Sequence, residues 1–200
     1  PPTGRSQTAV TGWMVFALES AQQAGLTVDS QAFADSLSWL DEVTDSTGRI
    51  GYLTPGSASS RVDGVNDHYP TDRTECMTAV GLLCRFFLGQ DPEQEEAMER
   101  GAALLGRALP EWDPDGLTND MYYWYYGTYA MFQMGGSHWK SWNVAMQKAV
   151  LESQRKDGDE KGSWDPVGPW GYTGGRVYST ACMTLCLEVY FRYAQVLGAR

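Results

Sequence analysis

The sequence predicts an all-α protein built from repeated pairs of helices. Seven segments have helical length and apolar spacing, and they alternate between nearly uncharged and amphipathic. Two of the uncharged segments share a pattern, because ECMTAVGLLCRFF at 75–87 and ACMTLCLEVYFRY at 181–193 align at Cys-Met-Thr. Short connections follow the uncharged segments and long ones precede them, as in stacked helical hairpins.

We call the nearly uncharged segments the inner segments. They span about residues 8–24, 74–89, 120–135 and 177–193. Together they contain only six charged residues, namely Glu19, Glu75, Arg85, Asp120, Glu188 and Arg192. A helix that is apolar on all sides is typical of a protein interior. We therefore expect these four helices to lie at the centre of the fold.

The amphipathic segments, here called the outer segments, span about residues 30–45, 93–109 and 138–155. They carry 14 charged residues, and each keeps one apolar stripe. Asp91 and Pro92 are typical of a helix start, which predicts that the second outer helix begins near residue 93. These features predict helices with one buried and one solvated face.

The long connections cover residues 46–73, 110–119 and 156–176. If the inner helices are parallel, these loops all meet at the N-terminal ends of the inner helices. The predicted architecture is a partial α/α barrel of about 3.5 hairpins. Long loops commonly carry function, so this end of the molecule is where we expect a site.

Composition limits the classes of partner. The 200 residues contain 25 acidic and 15 basic side chains, giving a net charge of −10. Such a surface repels nucleic acid and anionic lipid. No apolar run is long enough to span a bilayer, which favours a single soluble domain over residues 1–200. Because the sequence begins with Pro, we expect it to be part of a longer protein.

The four cysteines lie in inner segments, at Cys76, Cys84, Cys182 and Cys186. None has the spacing of a zinc or redox motif. We interpret them as buried free thiols, and a disulfide between Cys76 and Cys182 is the alternative.

Four stretches carry a resemblance to a known family. The loop QRKDGDEKGSWDP, which leads from Gln154 through Gly162 to Trp164, resembles the Gln-to-Trp repeat of squalene cyclases. Three further stretches resemble prenyltransferase and squalene oxidase repeats, which occur in many bacterial proteins: TGWMVFALESAQQAGL at 11–26, YYWYYGTYAMFQMGG at 122–136 and GGRVYSTACMTLCLEVYFRY at 174–193. The resemblance implies a bacterial α/α toroid in which Gln154 and Trp164 tie adjacent hairpins together.

The same resemblance suggests activities whose signatures this chain lacks. Cyclases of the family use an Asp-x-Asp-Asp acid, whereas Asp113-Pro-Asp115 and Asp157-Gly-Asp159 lack the following Asp. Prenyltransferases use zinc, but Pro70 interrupts the possible ligands His68, Asp72 and Cys76. We therefore expect no metal and no cofactor. The leading hypothesis is a binding or scaffold domain for a hydrophobic or peptide ligand. The rest of the same protein or a second copy would complete the toroid.

Candidate site residues follow from these hypotheses. Aromatic side chains on the inner segments would line a concave surface or fill the core, and we select Trp13, Tyr122, Tyr126 and Tyr129. Arg73 and Arg176 directly precede inner helices, where an anion is favoured. If the domain is an isoprenoid-active enzyme, its acid would be Asp72 or Glu75.

Other loop residues leave further alternatives open. Aromatic side chains in the long loops would suit a sugar or peptide, and they are Tyr52, Tyr69, Trp112, Trp164, Trp170 and Tyr172. A carbohydrate-active enzyme would need two carboxylates across one groove, with candidates Asp63, Asp67, Asp72, Asp115, Asp120 and Asp165.

Overall fold

The computed structural model describes residues 6–58, 64–69 and 74–192, and it confirms the all-α class for them. The helices are α1 Thr8–Gln23, α2 Ser30–Glu42, the one-turn α3 Val65–His68, α4 Cys76–Phe87, α5 Glu96–Leu105, α6 Met121–Met134, α7 Gly136–Ser153 and α8 Gly171–Arg192. Within these ranges, extended pairing is limited to one bridge between Thr44 and Ile50. None of the described helices has both the length and the apolar character needed to cross a bilayer.

Two helix boundaries differ from the prediction for local reasons. The carboxylate of Asp91 accepts the backbone N–H of Glu93 at 3.0 Å, and this turn delays the start of α5 to Glu96. The chain enters α8 at Gly171, but Gly175 has φ 63° and interrupts the helix. The continuous part therefore begins beside the predicted start at 177.

The inner helices α1, α4, α6 and α8 follow one another in a row, each packed against the next. The outer helix α2 packs on α1, α5 packs on α4 and α6, and α7 packs on α6 and α8. This order is a helical repeat of the kind that the alternating segments predict.

The middle of the row is the core. Every residue of α4 from Cys76 to Phe86 is buried. Helix α6 lies directly against α7 at Gly127, where an added Cβ would come within 2.4 Å of the Trp142 indole. The indole N–H of Trp142 then donates to Oγ1 of Thr128 at 3.0 Å. Inner and outer helices are thus joined by close packing and by a buried hydrogen bond.

The ends of the row are less buried than we expected. On α1, the side chains of Val10, Trp13 and Met14 are each about half exposed. On α8, Val177 and Phe191 are more than four-fifths exposed. The prediction of an interior position therefore holds for α4 and α6, but it is wrong for one face of α1 and of α8.

The Gln-to-Trp loop ties α7 to α8. The indole N–H of Trp164 donates to the carbonyl of Val150 at 2.8 Å, and its backbone N–H reaches Oγ1 of Thr180 at 3.4 Å. The side-chain amide of Gln154 closes the loop on the carbonyl of Gly162 at 3.0 Å. Both residues thus have structural contacts.

None of the four cysteines forms a disulfide, and all four are buried. Burial raises the pKa of the Cys84 and Cys186 thiols to about 12, so both are neutral in the folded protein. The interpretation as small apolar side chains is confirmed, and Cys76 and Cys182 are not joined.

Candidate functional site

A cavity of about 380 Å³ lies at the N-terminal ends of the four inner helices, and we call it the N-terminal cavity. Each inner helix contributes residues from its beginning, and two long loops add Tyr52 and Trp170. The lining consists of Ala9, Tyr52, Cys76, Met77, Asp120, Tyr122, Trp170, Thr173, Gly174 and Tyr178. The N-terminal ends of these helices and their preceding loops therefore converge, as the loop lengths predicted.

Glycines position the third long loop at this cavity. Gly168 has φ 91°, and an added Cβ would lie 1.9 Å from the carbonyl oxygen of Asn119, directly before α6. This close approach brings Trp170 beside Tyr122, with ring centroids 6.3 Å apart. The break at Gly175 then separates the cavity residues Thr173 and Gly174 from the continuous part of α8.

Four aromatic rings dominate the lining: Tyr52, Tyr122, Trp170 and Tyr178. Burial, with smaller effects from charges that include Asp120, raises the pKa of Tyr122 and Tyr178. Both phenols are therefore neutral at physiological pH. The Tyr178 hydroxyl is buried and has no nitrogen or oxygen partner among the described residues, but it forms a hydrogen bond with the Cys182 thiol. Sulfur is a weak acceptor, so a ligand oxygen in the cavity can compete for this hydroxyl.

Asp120 supplies the carboxylate of the lining. It is 1% exposed, and its Oδ1 accepts the backbone N–H of Tyr123 at 3.1 Å, which caps α6. The described lining contains no other carboxylate and no basic side chain. The cavity thus combines flat apolar surfaces with one buried carboxyl group, a pattern typical of small-molecule sites.

An aromatic cluster continues from the cavity between α1, α4 and α6. Tyr122 contacts Tyr126 with centroids 4.8 Å apart, and Tyr126 meets Trp13 edge-on at 6.1 Å. Phe16 and Phe87 add a further edge contact at 4.7 Å. Of the aromatic residues that we selected on the inner segments, Tyr122 lines the cavity, whereas Trp13 and Tyr126 pack beside it.

The remaining selected residues lie elsewhere. The hydroxyl of Tyr129 donates to the carbonyl of Leu185 at 2.8 Å and joins α6 to α8. Glu75 is paired with Arg49, whose Nε lies 3.0 Å from Oε2. Neither Tyr129 nor Glu75 is part of the cavity lining.

Arg176 belongs to an ion-pair network that holds the Gln-to-Trp loop. Its Nη2 lies 2.8 Å from Asp165 and 2.9 Å from Glu160. The other two candidates, Asp72 and Arg73, lie outside the described residues.

Sequence reasoning missed the cavity residues Met77, Thr173 and Tyr178, and it considered Cys76 only as a possible zinc ligand and a buried thiol. All four lie at or just before the first turn of an inner segment, so the predicted convergence of these ends was the available signal. Among the described residues, no group of three or more His, Cys, Asp or Glu side chains is arranged to hold a metal ion.

Comparison with known proteins gives no match: no family model fits the chain, and no curated protein or solved structure is significantly similar to it.

Proposed function

We propose that the chain is a binding module that takes a small, mainly apolar ligand in the N-terminal cavity. The observation that carries this proposal is a cavity of about 380 Å³ lined by four aromatic rings. This volume falls in the range of about 300–1,000 Å³ that is usual for small-molecule sites. In this proposal the row of helices is an arc of an α/α toroid, and the cavity lies at its loop-bearing end.

The ligand should also carry a hydrogen-bonding group. Asp120 accepts hydrogen bonds, and the neutral Tyr178 hydroxyl can donate one. A ligand hydroxyl or amide satisfies both requirements. Rings of the ligand would stack on Tyr122 and Trp170, whose flat faces give contact area at little entropic cost. A partly alicyclic or aromatic alcohol is the simplest molecule of this kind.

Titration with the neutral fluorophore N-phenyl-1-naphthylamine tests the proposal. We expect enhanced fluorescence at micromolar probe, because the cavity excludes water from an apolar ring system. In the variant Thr173→Trp, an indole placed at the cavity wall should reduce affinity at least about tenfold, equivalent to about 1.4 kcal/mol.

The matched control is Tyr172→Trp. Tyr172 precedes Thr173, is 93% exposed and does not line the cavity, so its indole should leave binding unchanged. Absence of binding by the unaltered chain, or equal loss in both variants, would contradict the proposal.

A second candidate is an isoprenoid-active enzyme, which the buried Asp120 beside aromatic rings favours. Such an enzyme would use a protonated Asp120 as its acid, in the role predicted from the sequence for Asp72 or Glu75. The binding proposal instead expects squalene and prenyl diphosphates to remain unchanged. Turnover that is lost in Asp120→Asn, which keeps a good helix cap, would replace the binding proposal with this one.

A further inference from the structure

Among the described helices, exposed large apolar side chains occur on α1, α7 and α8. On α1 they are Val10, Trp13 and Met14; on α7 and α8 they are Val144, Leu151, Tyr172, Val177, Tyr190 and Phe191. The described residues of α2, α4, α5 and α6 contribute none. Exposed apolar patches that are grouped in this way are typical of interaction surfaces.

The exposed stripe of α1, which we call the α1 face, points away from its neighbour α4. It consists of Val10, Met14 and Ala17, which follow the spacing i, i+4, i+7 and are all exposed. Trp13 is half exposed but is turned toward Tyr126 of α6, so it is not part of this face. Gly12 lies on the other side of the helix, where an added Cβ would be 2.6 Å from Val80 of α4. The α1 face is therefore the side on which a preceding inner helix would pack.

The corresponding stripe of α8, the α8 face, points away from α6. It includes Val177, Ala181, Thr184 and Phe191, which are all exposed. Met183 and Cys186 are buried, and the Cys186 thiol contacts Thr128 of α6. The α8 face is therefore the side on which a following inner helix would pack.

The two ends also differ in charge. Residues 6–48 contain no Lys or Arg, and their acidic side chains are Glu19, Asp29, Asp35, Asp41, Glu42 and Asp45. Toward the other end, Lys140 and Lys148 are exposed on α7 on the same flank as Val144, which also carries the exposed Glu152. An acidic edge and a lysine-bearing edge attract each other.

We propose that a second copy of this chain is the occupant, with the α1 face of one copy packed on the α8 face of the next. The N-terminal ends of α1, α4, α6 and α8 meet at one cavity, so this contact continues the row with the inner helices parallel. The acidic α2 of one copy then lies toward Lys140 and Lys148 of its neighbour. Such a head-to-tail contact uses two different surfaces and leaves one of each free.

Sedimentation velocity across protein concentration tests the proposal. We expect the chain to associate as concentration rises. Met14→Glu, which places a charge on the α1 face, and Val177→Glu, which places one on the α8 face, should each remain monomeric. Leu117→Glu, at an exposed loop position outside both faces, is the control and should associate like the unaltered chain.

Mixing the two charged variants distinguishes head-to-tail from symmetric contact. Met14→Glu retains an intact α8 face and Val177→Glu retains an intact α1 face, so the mixture should form a one-to-one dimer and nothing larger. High salt should weaken this dimer, because exposed charges are screened.

Three results would overturn the proposal. The chain could stay monomeric at all concentrations, the mixture could fail to form the dimer, or Val177→Glu could associate normally. Binding of a monomeric chain to phosphatidylcholine vesicles through Met14 and Val177 would assign the faces to lipid instead. Probe binding in the N-terminal cavity is measured separately, so these outcomes are independent of the proposed function.

Discussion

The middle and the ends of the inner row are made of the same kind of sequence, yet they meet different surroundings. Helices α4 and α6 have neighbours on both sides and are buried, whereas α1 and α8 have an inner neighbour on one side and expose apolar side chains on the other. An uncharged composition therefore indicates which surfaces need a partner. It does not indicate whether this chain itself supplies that partner.

The largest contrast should come from matched methionines. Met131 on α6 is fully buried, whereas Met14 on α1 is 53% exposed. Met131→Ala should lower the free energy of unfolding by about 2–5 kcal/mol, since it leaves a cavity. Met14→Ala should change it by less than about 0.5 kcal/mol. Urea unfolding measures both values, and equal losses would refute the distinction between middle and ends.

The side of α1 that packs on α4 should be as sensitive to substitution as the buried helices α4 and α6. Gly12→Ala would place a methyl group 2.6 Å from Val80, so we expect a loss of about 1–3 kcal/mol. Helix propensity alone favours the same change by about 1 kcal/mol. The sign of the measured change in thermal unfolding decides which effect dominates, and a stabilised variant would show that the contact between α1 and α4 is loose.

Arg85 is a buried charged residue on α4, in the middle of the inner row. Its side chain is 3% exposed and pairs with Asp41 at 2.8 Å. Asp41→Asn should cost about 1–2 kcal/mol, because the guanidinium loses its counter-charge but keeps neutral partners in Thr44 and Gln90. Glu96→Gln, which breaks the exposed pair with Arg100, should cost at most about 0.5 kcal/mol. Chemical denaturation that ranks the two variants in the opposite order would contradict this assignment.

The smallest effect is a pH dependence at the α7–α8 end. Burial alone would raise the pKa of Asp165, but hydrogen bonds from Arg176 and Arg155 lower it below its ordinary value of 3.8. The carboxylate therefore stabilises the fold above about pH 4, and this contribution is lost as pH falls through the lowered value.

The free energy of unfolding of the unaltered chain should fall in acid as Asp165 is protonated. In Asp165→Asn this fall should be smaller by less than about 1 kcal/mol, since the network is partly solvated. Asp159→Asn, in the same loop, should retain the slope of the unaltered chain. An unchanged slope in Asp165→Asn would show that the ion pairs do not persist in solution.

Much of the fold could be predicted from local signals. The inner segment at 120–135 became α6 at Met121–Met134 because Asp120 caps it and a glycine follows it. The start of α5 could not be read from Asp91, since the same carboxylate also favours a separate turn. Burial of α1 could not be predicted either, because it depends on neighbours outside its own sequence.

The site was only partly predictable. Tyr122 and the loop residues Tyr52 and Trp170 stood out as aromatic residues near inner segments, and the cavity brings them together. Tyr126 is also an aromatic residue of an inner segment, but it packs in the neighbouring aromatic cluster because it lies one helical turn further along α6. An aromatic residue borders the cavity only if it lies at the right position along its helix. The residue type alone does not reveal that position.

Hydrogen exchange followed by mass spectrometry tests the central claim most directly. If α4 and α6 form the core of a row with open ends, segments 76–87 and 121–134 should exchange last, at the rate of global unfolding. Segments 8–23 and 176–192 should exchange earlier. Exchange of 121–134 before both end helices would contradict the account.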